Sequence, residues 1–221
     1  MLKTIEEKKM KKAVLIAVEG IDGAGKTTQA SILLQELAKN GYASILLHEP
    51  TDGKWGKRIR DLADNGRHKT KPEDELQLFY LDRLDDVERN IKPALLQKKI
   101  IIMDRYYFSN VAYQSERGLD PNLIENMNEK IAPIPDITII LDLTPAASLR
   151  RIIHNRNGSP NHFERKRTLE KVREAFLKQF ANRPNVRIVE GDDSRSIQIV
   201  ASDIWRIIEP KIKEAEEEKR E

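Results

Sequence analysis

Nine consecutive residues near the N-terminus have the types and spacing of a phosphate-binding loop. The segment satisfies the pattern G-x-x-x-x-G-K-[ST]. Its members, with the threonine that follows, are Gly20, Ile21, Asp22, Gly23, Ala24, Gly25, Lys26, Thr27 and Thr28. Glycines let backbone N–H groups converge on phosphate oxygens, Lys26 reaches the β- and γ-phosphates, and the Thr27 hydroxyl can ligate Mg²⁺. The pattern therefore predicts a P-loop that binds a nucleoside triphosphate.

A second group of polar residues follows the apolar run Ile100–Asp104. If that run is a strand of an open α/β sheet, Asp104 and Arg105 lie at its carboxyl end, where ligands bind. The Asp104 carboxylate can hold the water shell of a metal, and Arg105 can bind a second phosphate group through two hydrogen bonds. A surface ion pair is the plain alternative. It is disfavoured because the run Ser44–His48 is also followed by polar residues.

The elements that must position these residues are five short β-branched or aliphatic runs. They are Ala13–Glu19, Ser44–His48, Ile100–Asp104, Ile137–Asp142 and Val186–Glu190. Most are apolar throughout, which is typical of parallel strands covered on both faces. Helical patterns lie between them, so we predict an α/β fold: a doubly wound, five-stranded parallel sheet flanked by helices, in one domain of residues 1–221.

Several segments between the strands have helical periodicity. Thr27–Lys39 ends at Asn40-Gly41, and a longer helix carries an apolar stripe that Pro93 is expected to interrupt or kink. The stripe residues are Leu76, Phe79, Leu84, Val87 and Ile91. Further helices are predicted over Leu149–Ile153, Leu169–Phe180 and Ile197–Ile212, and the charged C-terminal tail, residues 211–221, is expected to extend or fray a surface helix.

One polar segment, residues 154–167, does not fit a packed core. It is rich in Asn, Gly, Ser and Pro, with Arg156, Arg165 and Arg167 among them. An exposed loop is the simplest interpretation. Its place after the fourth strand and its helix favours a mobile lid over a nucleotide site.

Composition excludes several classes of function. The 39 basic and 36 acidic residues nearly cancel, which gives no support to nucleic-acid binding. The chain has no cysteine, so disulfides and thiolate metal sites are excluded. No apolar run reaches membrane-spanning length, and residues 1–12 are unlike a signal peptide, so we expect a cytoplasmic protein without a membrane partner.

The order of the motifs resembles one particular family. A guanine-reading N-K-x-D element is absent, which disfavours a switch GTPase. The motifs are Glu19–Thr28, Glu49-Pro50, Gly56 with Ile59-Arg60, Leu78-Phe79-Tyr80 with Arg83, Asp104-Arg105-Tyr106 with Ser109, Ala112-Tyr113-Gln114, Pro135-Asp136, Leu141-Asp142-Leu143 with Pro145, and Phe163-Glu164. With these residues the chain resembles, nearly end to end, the thymidylate kinases of the P-loop nucleoside monophosphate kinase group.

The resemblance implies a reaction, ATP + dTMP giving ADP + dTDP, with Mg²⁺ accompanying ATP. It implies that Phe79 stacks on thymine, that Arg83 binds the exocyclic oxygen of the base, and that Arg60 and Arg105 clamp the acceptor phosphate. It also implies the remaining roles: Asn110 and Gln114 help to read the base, Tyr113 lies against the deoxyribose, Asp22 contacts the 3′-hydroxyl and helps to organise the metal, and Pro50 belongs to the same acceptor site. Phe79 and Tyr113 could instead be ordinary core residues.

The lid differs from the family pattern. Gly23 stands where one branch of the family has a catalytic arginine, so the resemblance implies that lid cations assist transfer. Arg151 and Arg156 are the candidates, ahead of Arg150, Arg165 and Arg167. The pair Asn161-His162 replaces the Asp-Arg pair that usually precedes the Phe-Glu motif, so the roles of individual arginines stay open.

Two other functions remain open from sequence. One is a kinase of another acceptor, such as dUMP, UMP, CMP or a deoxynucleoside. The other is an ATP-binding switch or module without transfer chemistry. The resemblance also implies a homodimer, and we expect apolar faces near residues 73–91 and 106–114 to supply the contact.

Overall fold

A computed structural model describes residues 8–65, 67–156, 166–192 and 194–217, without the side chains of residues 68, 154–156 and 217. Within these ranges the strands form one parallel sheet in the order β2-β3-β1-β4-β5. The strands are β1 (Val14–Gly20), β2 (Ser44–His48), β3 (Ile100–Asp104), β4 (Ile137–Asp142) and β5 (Val186–Glu190). The predicted fold is confirmed, with β1 shifted by one residue.

Helices pack on the sheet and connect its parallel strands. They are α1 (Lys26–Lys39), α2 (Lys54–Asn65), α3 (Pro72–Asp86), α4 (Lys92–Leu96), α5 (Tyr107–Glu116), α6 (Pro121–Glu129), α7 (Pro145–Arg156), α8 (Lys166–Phe180) and α9 (Ile197–Glu217). No helix in the described ranges is long and apolar enough to cross a membrane.

Pro93 interrupts the helix as its chemistry requires. Helix α3 passes into a wider π-helical turn, Val87–Ile91, and Pro93 lies in the first turn of α4. A proline is tolerated there because its missing N–H would not have paired within α4. The stripe residues Val87 and Ile91 stay buried through the wide turn.

The sheet order places the carboxyl ends of β1 and β3 side by side. β1 is the central strand, and all seven of its residues are buried. Val18 pairs with Asp104, so the loop that leaves β1 and the residues that follow β3 emerge next to each other. This edge of the sheet is where α/β proteins bind ligands.

An aromatic cluster joins α5 to α8. The rings of Tyr107 and Phe108 stack at 4.5 Å, and Phe108 meets Phe180 edge-on at 4.7 Å. Residues 107–114 of α5 are all buried within this chain. The expectation of an exposed apolar face near residues 106–114 is therefore wrong, because the apolar side chains of α5 pack against α8 and the sheet.

The charged C-terminal segment is anchored rather than loose through Glu216. Ile212 and Ala215 are buried, and the Tyr42 hydroxyl donates to the Glu216 carboxylate at 2.9 Å. The Lys8 ammonium donates to the same hydroxyl at 2.9 Å. The predicted extension of a surface helix is confirmed over this part of the tail.

Replacing Phe176 by alanine should lower the free energy of unfolding by about 3–5 kcal/mol, because the ring is buried against Phe180 and its removal leaves a cavity. Guanidinium denaturation followed by circular dichroism measures this change. Leu123→Ala is the matched control, since that side chain is 54% exposed and should change the free energy of unfolding by less than about 0.5 kcal/mol. Equal losses in both variants would contradict this account of the core.

Candidate active site

The P-loop leaves β1 and turns directly into α1. Gly25 is the N-cap of α1, with φ 95°, and no side chain caps the helix. A Cβ at Gly20, where φ is 138°, would lie 2.5 Å from the Leu141 carbonyl oxygen. The glycines thus permit a backbone that other residues cannot adopt, and the N–H groups at the start of α1 are left to an anion. Thr27 and Thr28 are exposed in the first turn.

Lys26 is the buried cation of this loop. Its ammonium donates to the Ile21 carbonyl oxygen at 2.7 Å. Burial, reinforced by the nearby Arg105 cation, lowers the pKa of Lys26 to about 8, although Asp22 and Asp104 act in the opposite direction. A bound polyphosphate would replace the carbonyl as partner and favour the charged form.

Thr27 and Asp104 meet at the mouth of the P-loop. The Thr27 hydroxyl donates to a carboxylate oxygen of Asp104 at 2.5 Å. A hydroxyl and a carboxylate are oxygen ligands of the kind that Mg²⁺ takes, directly or through water. The described residues contain no group of three or more His, Cys, Asp or Glu side chains that could hold a metal ion, so a metal here would depend on phosphate oxygens and water as well. The two residues fit a nucleotide-bound magnesium.

Arg105 joins the end of β3 to the P-loop. Its guanidinium pairs with the Asp22 carboxylate, and Nη1 donates to the Ser109 hydroxyl at 3.2 Å. Burial acts to raise the pKa of Asp22, but the cations of Arg105 and Lys26 outweigh it and hold the pKa below its usual value. Arg105 has φ 68°, a left-handed conformation that costs energy for a residue with a Cβ. The backbone is thus strained where the side chain turns toward the P-loop.

Glu19 fixes the turn that carries Arg105, and the sequence analysis assigned it no separate role. This buried carboxylate accepts from the Tyr106 N–H at 2.7 Å, from the Ser109 N–H at 3.1 Å and from the Ser109 hydroxyl at 2.5 Å. Burial raises its pKa, and these hydrogen bonds oppose the rise. A charged residue at the end of an apolar strand was the available signal, since such a group needs buried partners.

A cavity of about 250 Å³ opens beside the P-loop. Its walls combine apolar surface with arginine and amide groups. The lining residues are Asp22, Glu49, Pro50, Ile59, Arg60, Ala63, Phe79, Arg83, Arg105, Tyr106, Ser109, Asn110 and Tyr113. The structure therefore brings together every predicted acceptor-site residue except Gln114.

Gln114 lies outside the cavity wall. Its side chain is 0% exposed, and neither of its amide atoms has a hydrogen-bond partner in the described part of the chain. The part of Gln114 in reading the base stays a prediction.

Phe79 and Tyr113 both line the cavity, and Tyr113 is at the same time part of the buried core. Phe79 is only half-buried, and its exposed part lines the cavity. The Tyr113 hydroxyl accepts from the Asp22 N–H at 3.2 Å. Tyr113 thus connects the cavity wall to the P-loop backbone.

Arg60 lies at the open side of the cavity, next to the loop after β2. Its Nη1 donates to the Pro50 carbonyl oxygen at 2.8 Å. Asp82 holds the same loop by accepting from the Thr51 N–H at 2.8 Å and from its hydroxyl at 2.6 Å. A Cβ at Gly56 would lie 1.9 Å from the Thr51 carbonyl oxygen, so only glycine allows α2 to approach this loop.

Arg83 is buried at the inner end of the cavity. It pairs with Glu49, to which Nε donates at 3.2 Å. Burial raises the pKa of Glu49 to about 8, against the effect of the Arg83 cation. The pairing holds the guanidinium in place on one side and leaves its other nitrogen, Nη1, toward Asn110 and Asn128.

Helix α7 packs directly on the P-loop. Ser148 donates through its hydroxyl to the Asp22 carbonyl oxygen at 2.5 Å. Arg151 donates to the carbonyl oxygens of Gly191 at 2.7 Å and Gly23 at 3.5 Å. A Cβ at Gly23 would lie 2.9 Å from the Ser148 carbonyl oxygen, so α7 occupies the space that a larger residue would need.

The other predicted lid cations are either exposed on helices or lie outside the described residues. Arg150 and Arg167 are exposed on α7 and α8. The Arg156 side chain and residues 157–165, which include most of the predicted lid with Arg165, lie outside the described residues.

Comparison with known proteins decides the family. A family model described as Thymidylate kinase matches residues 18–204. The chain belongs to the thymidylate kinase family. The resemblance read from the sequence is thereby confirmed, and membership of the thymidylate kinase family makes this chain a nucleoside monophosphate kinase.

Individual members of the thymidylate kinase family are similar over most of their length. A probable thymidylate kinase of Archaeoglobus fulgidus is 45% identical over 89% of this chain and 95% of the relative. A probable thymidylate kinase of Thermococcus gammatolerans is 40% identical over 90% of this chain and 97% of the relative. A thymidylate kinase of Xanthomonas campestris pv. campestris is 45% identical over 74% of this chain and 70% of the relative.

The affinity for ATP should weaken roughly tenfold between about pH 7.5 and pH 9. The free protein loses the Lys26 proton near a pKa of about 8, whereas bound phosphates keep it, so binding above that pH must take up a proton. Titration calorimetry in buffers of different ionisation enthalpy measures both the affinity and the proton uptake.

Lys26→Met is the control, and its weak binding should be independent of pH over this range. An affinity of the unaltered protein that stays constant to about pH 9 would contradict the lowered pKa of Lys26.

Proposed function

We propose that this chain transfers the γ-phosphoryl group of ATP to dTMP, giving ADP and dTDP. The observation that carries the proposal is the Arg105–Asp22 ion pair, which joins the P-loop to a base-sized cavity. A kinase needs two adjacent phosphate sites, and this pair would lie between them.

The donor half of the proposed site is the P-loop. The N–H groups at the start of α1 and the Lys26 ammonium would hold the β- and γ-phosphates. Thr27 would ligate Mg²⁺ directly and Asp104 through water, consistent with their contact at 2.5 Å. When bound, the metal neutralises charge on the phosphate oxygens.

The acceptor half of the proposed site suits a flat base with carbonyl oxygens. Phe79 offers a partly exposed ring for stacking, and Pro50 and Ile59 add apolar wall. Arg83 can only donate hydrogen bonds, so it favours an oxygen on the base. Tyr113, which accepts from the Asp22 N–H of the P-loop, would lie against the deoxyribose and crowd a 2′-hydroxyl.

The acceptor phosphate would lie between Arg105 and Arg60. Both line the cavity, and Arg60 is 40% exposed on its open side, so it can turn from the Pro50 carbonyl to an anion. A monophosphate dianion is already nucleophilic, and no general base is required. Catalysis then depends on holding donor and acceptor in line and on stabilising charge.

Cations near the lid would complete the site during transfer. Arg151 is already hydrogen-bonded to the Gly23 carbonyl of the P-loop, which supports its contact with the transferred group. Arg156 remains a candidate from the sequence. A lid formed by residues 154–167 would, on closing over the nucleotides, exclude water and limit hydrolysis of ATP.

We further propose that the protein acts as a cytoplasmic homodimer of single-domain subunits, residues 1–221. Half-buried leucines on α3, Leu78, Leu81 and Leu84, support an interface on that helix. The family resemblance supports the same arrangement.

A panel of monophosphates tests the acceptor in a coupled assay of ADP release. Phe79→Ala should lower kcat/KM for dTMP about 10- to 100-fold and reduce the preference for dTMP over dUMP, UMP and CMP, because base stacking is lost. Tyr80→Ala is the matched control: this neighbouring aromatic residue lies outside the cavity wall and should leave the preference unchanged. Turnover of another monophosphate in preference to dTMP by the unaltered enzyme would refute the assignment.

Arg60→Ala should raise the KM for dTMP about 10- to 100-fold with little change in the KM for ATP, because it removes a charged donor to the acceptor phosphate only. Arg58→Ala, an exposed arginine on the same helix, controls for the loss of one positive charge. Steady-state kinetics with each substrate varied in turn separates the two constants. Similar effects of both variants would show that Arg60 acts only through the overall electrostatic field of the protein and not through contact with the acceptor phosphate.

A further inference from the structure

The first part of the P-loop is a β-turn with Asp22 and Gly23 at its centre. The Ala24 N–H donates to the Ile21 carbonyl oxygen at 3.2 Å, which closes the turn. Gly23 has φ 75°, and Asp22 does not share this left-handed conformation. A turn with this hydrogen bond and a positive φ only at its third residue is of type II.

A type I turn is the competing form, and it differs in the orientation of one peptide group. Both forms join the same flanking residues, but the peptide between the two central residues is flipped. In the P-loop this is the peptide between Asp22 and Gly23. Glycine adopts both signs of φ readily, so the turn residues alone do not determine which form is present.

Ser148 of α7 holds this peptide in one orientation. Its side chain is buried, and its hydroxyl donates to the Asp22 carbonyl oxygen at 2.5 Å. The type II form therefore gives the carbonyl a donor inside the protein. Without the hydroxyl, the same form would leave the carbonyl oxygen unpaired against α7, which is costly in a buried place.

The held carbonyl also fixes the direction of the Gly23 N–H. A peptide group is planar and trans, so its N–H points the opposite way to its C=O. The Gly23 N–H therefore points away from Ser148. Gly23 is partly exposed, and none of the described residues accepts a hydrogen bond from its N–H, whereas the Asp22 N–H is taken by the Tyr113 hydroxyl. The Gly23 N–H is thus left for a ligand.

We propose that Ser148 is a positioning residue that keeps the P-loop turn in its type II form, so that the Gly23 N–H faces the triphosphate. The flipped form would present the Asp22 carbonyl oxygen there instead, and this oxygen would repel the phosphate anion. The inference rests on the proposed function, since it takes the P-loop as the site of ATP.

Ser148→Ala removes the hydroxyl with little change in volume. The flipped turn should then become populated in the free protein, so the affinity for ATP should weaken about 3- to 10-fold. The affinity for dTMP should not change, because a flip of one peptide leaves the side chain of Asp22 on Arg105. Titration calorimetry with each nucleotide alone measures both constants.

Ser115→Ala is the matched control. Its hydroxyl also donates to a backbone carbonyl oxygen, that of Ala112 at 3.1 Å, but it lies outside the P-loop and the cavity wall, so its loss should leave both affinities unchanged. A merely structural role of Ser148 would weaken the binding of both nucleotides together. An equal loss for ATP and dTMP, or an unchanged affinity for ATP in folded Ser148→Ala protein, overturns the inference.

The peptide is also observable by NMR in the unaltered protein. The chain contains two Asp-Gly pairs, Asp22-Gly23 and Asp52-Gly53. Labelling aspartate carbonyls with ¹³C and glycine amides with ¹⁵N gives one correlated signal for each pair, and the loss of one signal in Gly53→Ala identifies both. On saturation with ATP the Gly23 amide proton should shift downfield, because it gains a phosphate acceptor, and the Gly53 signal is the internal control.

A Gly23 signal that ATP leaves in place overturns the inference even if the Ser148 variant does not fold. Neither measurement involves transfer to an acceptor. A protein that binds ATP but phosphorylates no monophosphate would refute the proposed function instead, and the ATP affinity and the Gly23 signal would then decide the role of Ser148 separately.

Discussion

The Arg105–Asp22 ion pair joins the two halves of the proposed site, and the surrounding residues hold it in place. Arg105 adopts a left-handed backbone conformation, which is sustained only if its neighbours are fixed. Glu19 supplies that constraint by accepting three hydrogen bonds from Tyr106 and Ser109. The pairing of β1 with β3 brings these residues to one edge of the sheet. A cation can therefore face the P-loop before any ligand arrives.

The proposed acceptor side is ordered by buried acidic residues in the same way. Glu49 and Asp82 each accept two hydrogen bonds, from Arg83 and Thr51 respectively. Buried charges are costly unless they are paired, so such contacts add little to stability. These contacts instead restrict the orientation of the side chains, because a guanidinium held by a carboxylate can adopt few orientations when a base enters. Asn128 extends this order to a neutral amide.

Much of the fold was predictable because parallel strands buried on both faces are apolar throughout, and the bounds of four strands were predicted to the residue. The P-loop was equally clear, since its backbone conformation demands glycines at fixed spacing. Long-range partners were not predictable. Nothing local to Asn128 or Glu19 shows which distant groups they bind, and the complete burial of Gln114 depends on how α5 packs. Helix α5 itself looked like an exposed apolar face because its cover, α8, lies more than 50 residues later in the chain.

The contact between Gly23 and α7 has a consequence for the charges around a bound nucleotide. Because Ser148 lies against Gly23, that position of the loop cannot carry a long cationic side chain without displacing α7. Arg151 on α7, which donates to the Gly23 carbonyl oxygen, brings a cation to this side of the loop instead. In the proposed mechanism, a nucleotide held by the loop without that cation would meet an incomplete set of charges, and water that reaches it would find a poor catalyst. Economy in ATP use would then be a by-product of how tightly one helix packs against one glycine.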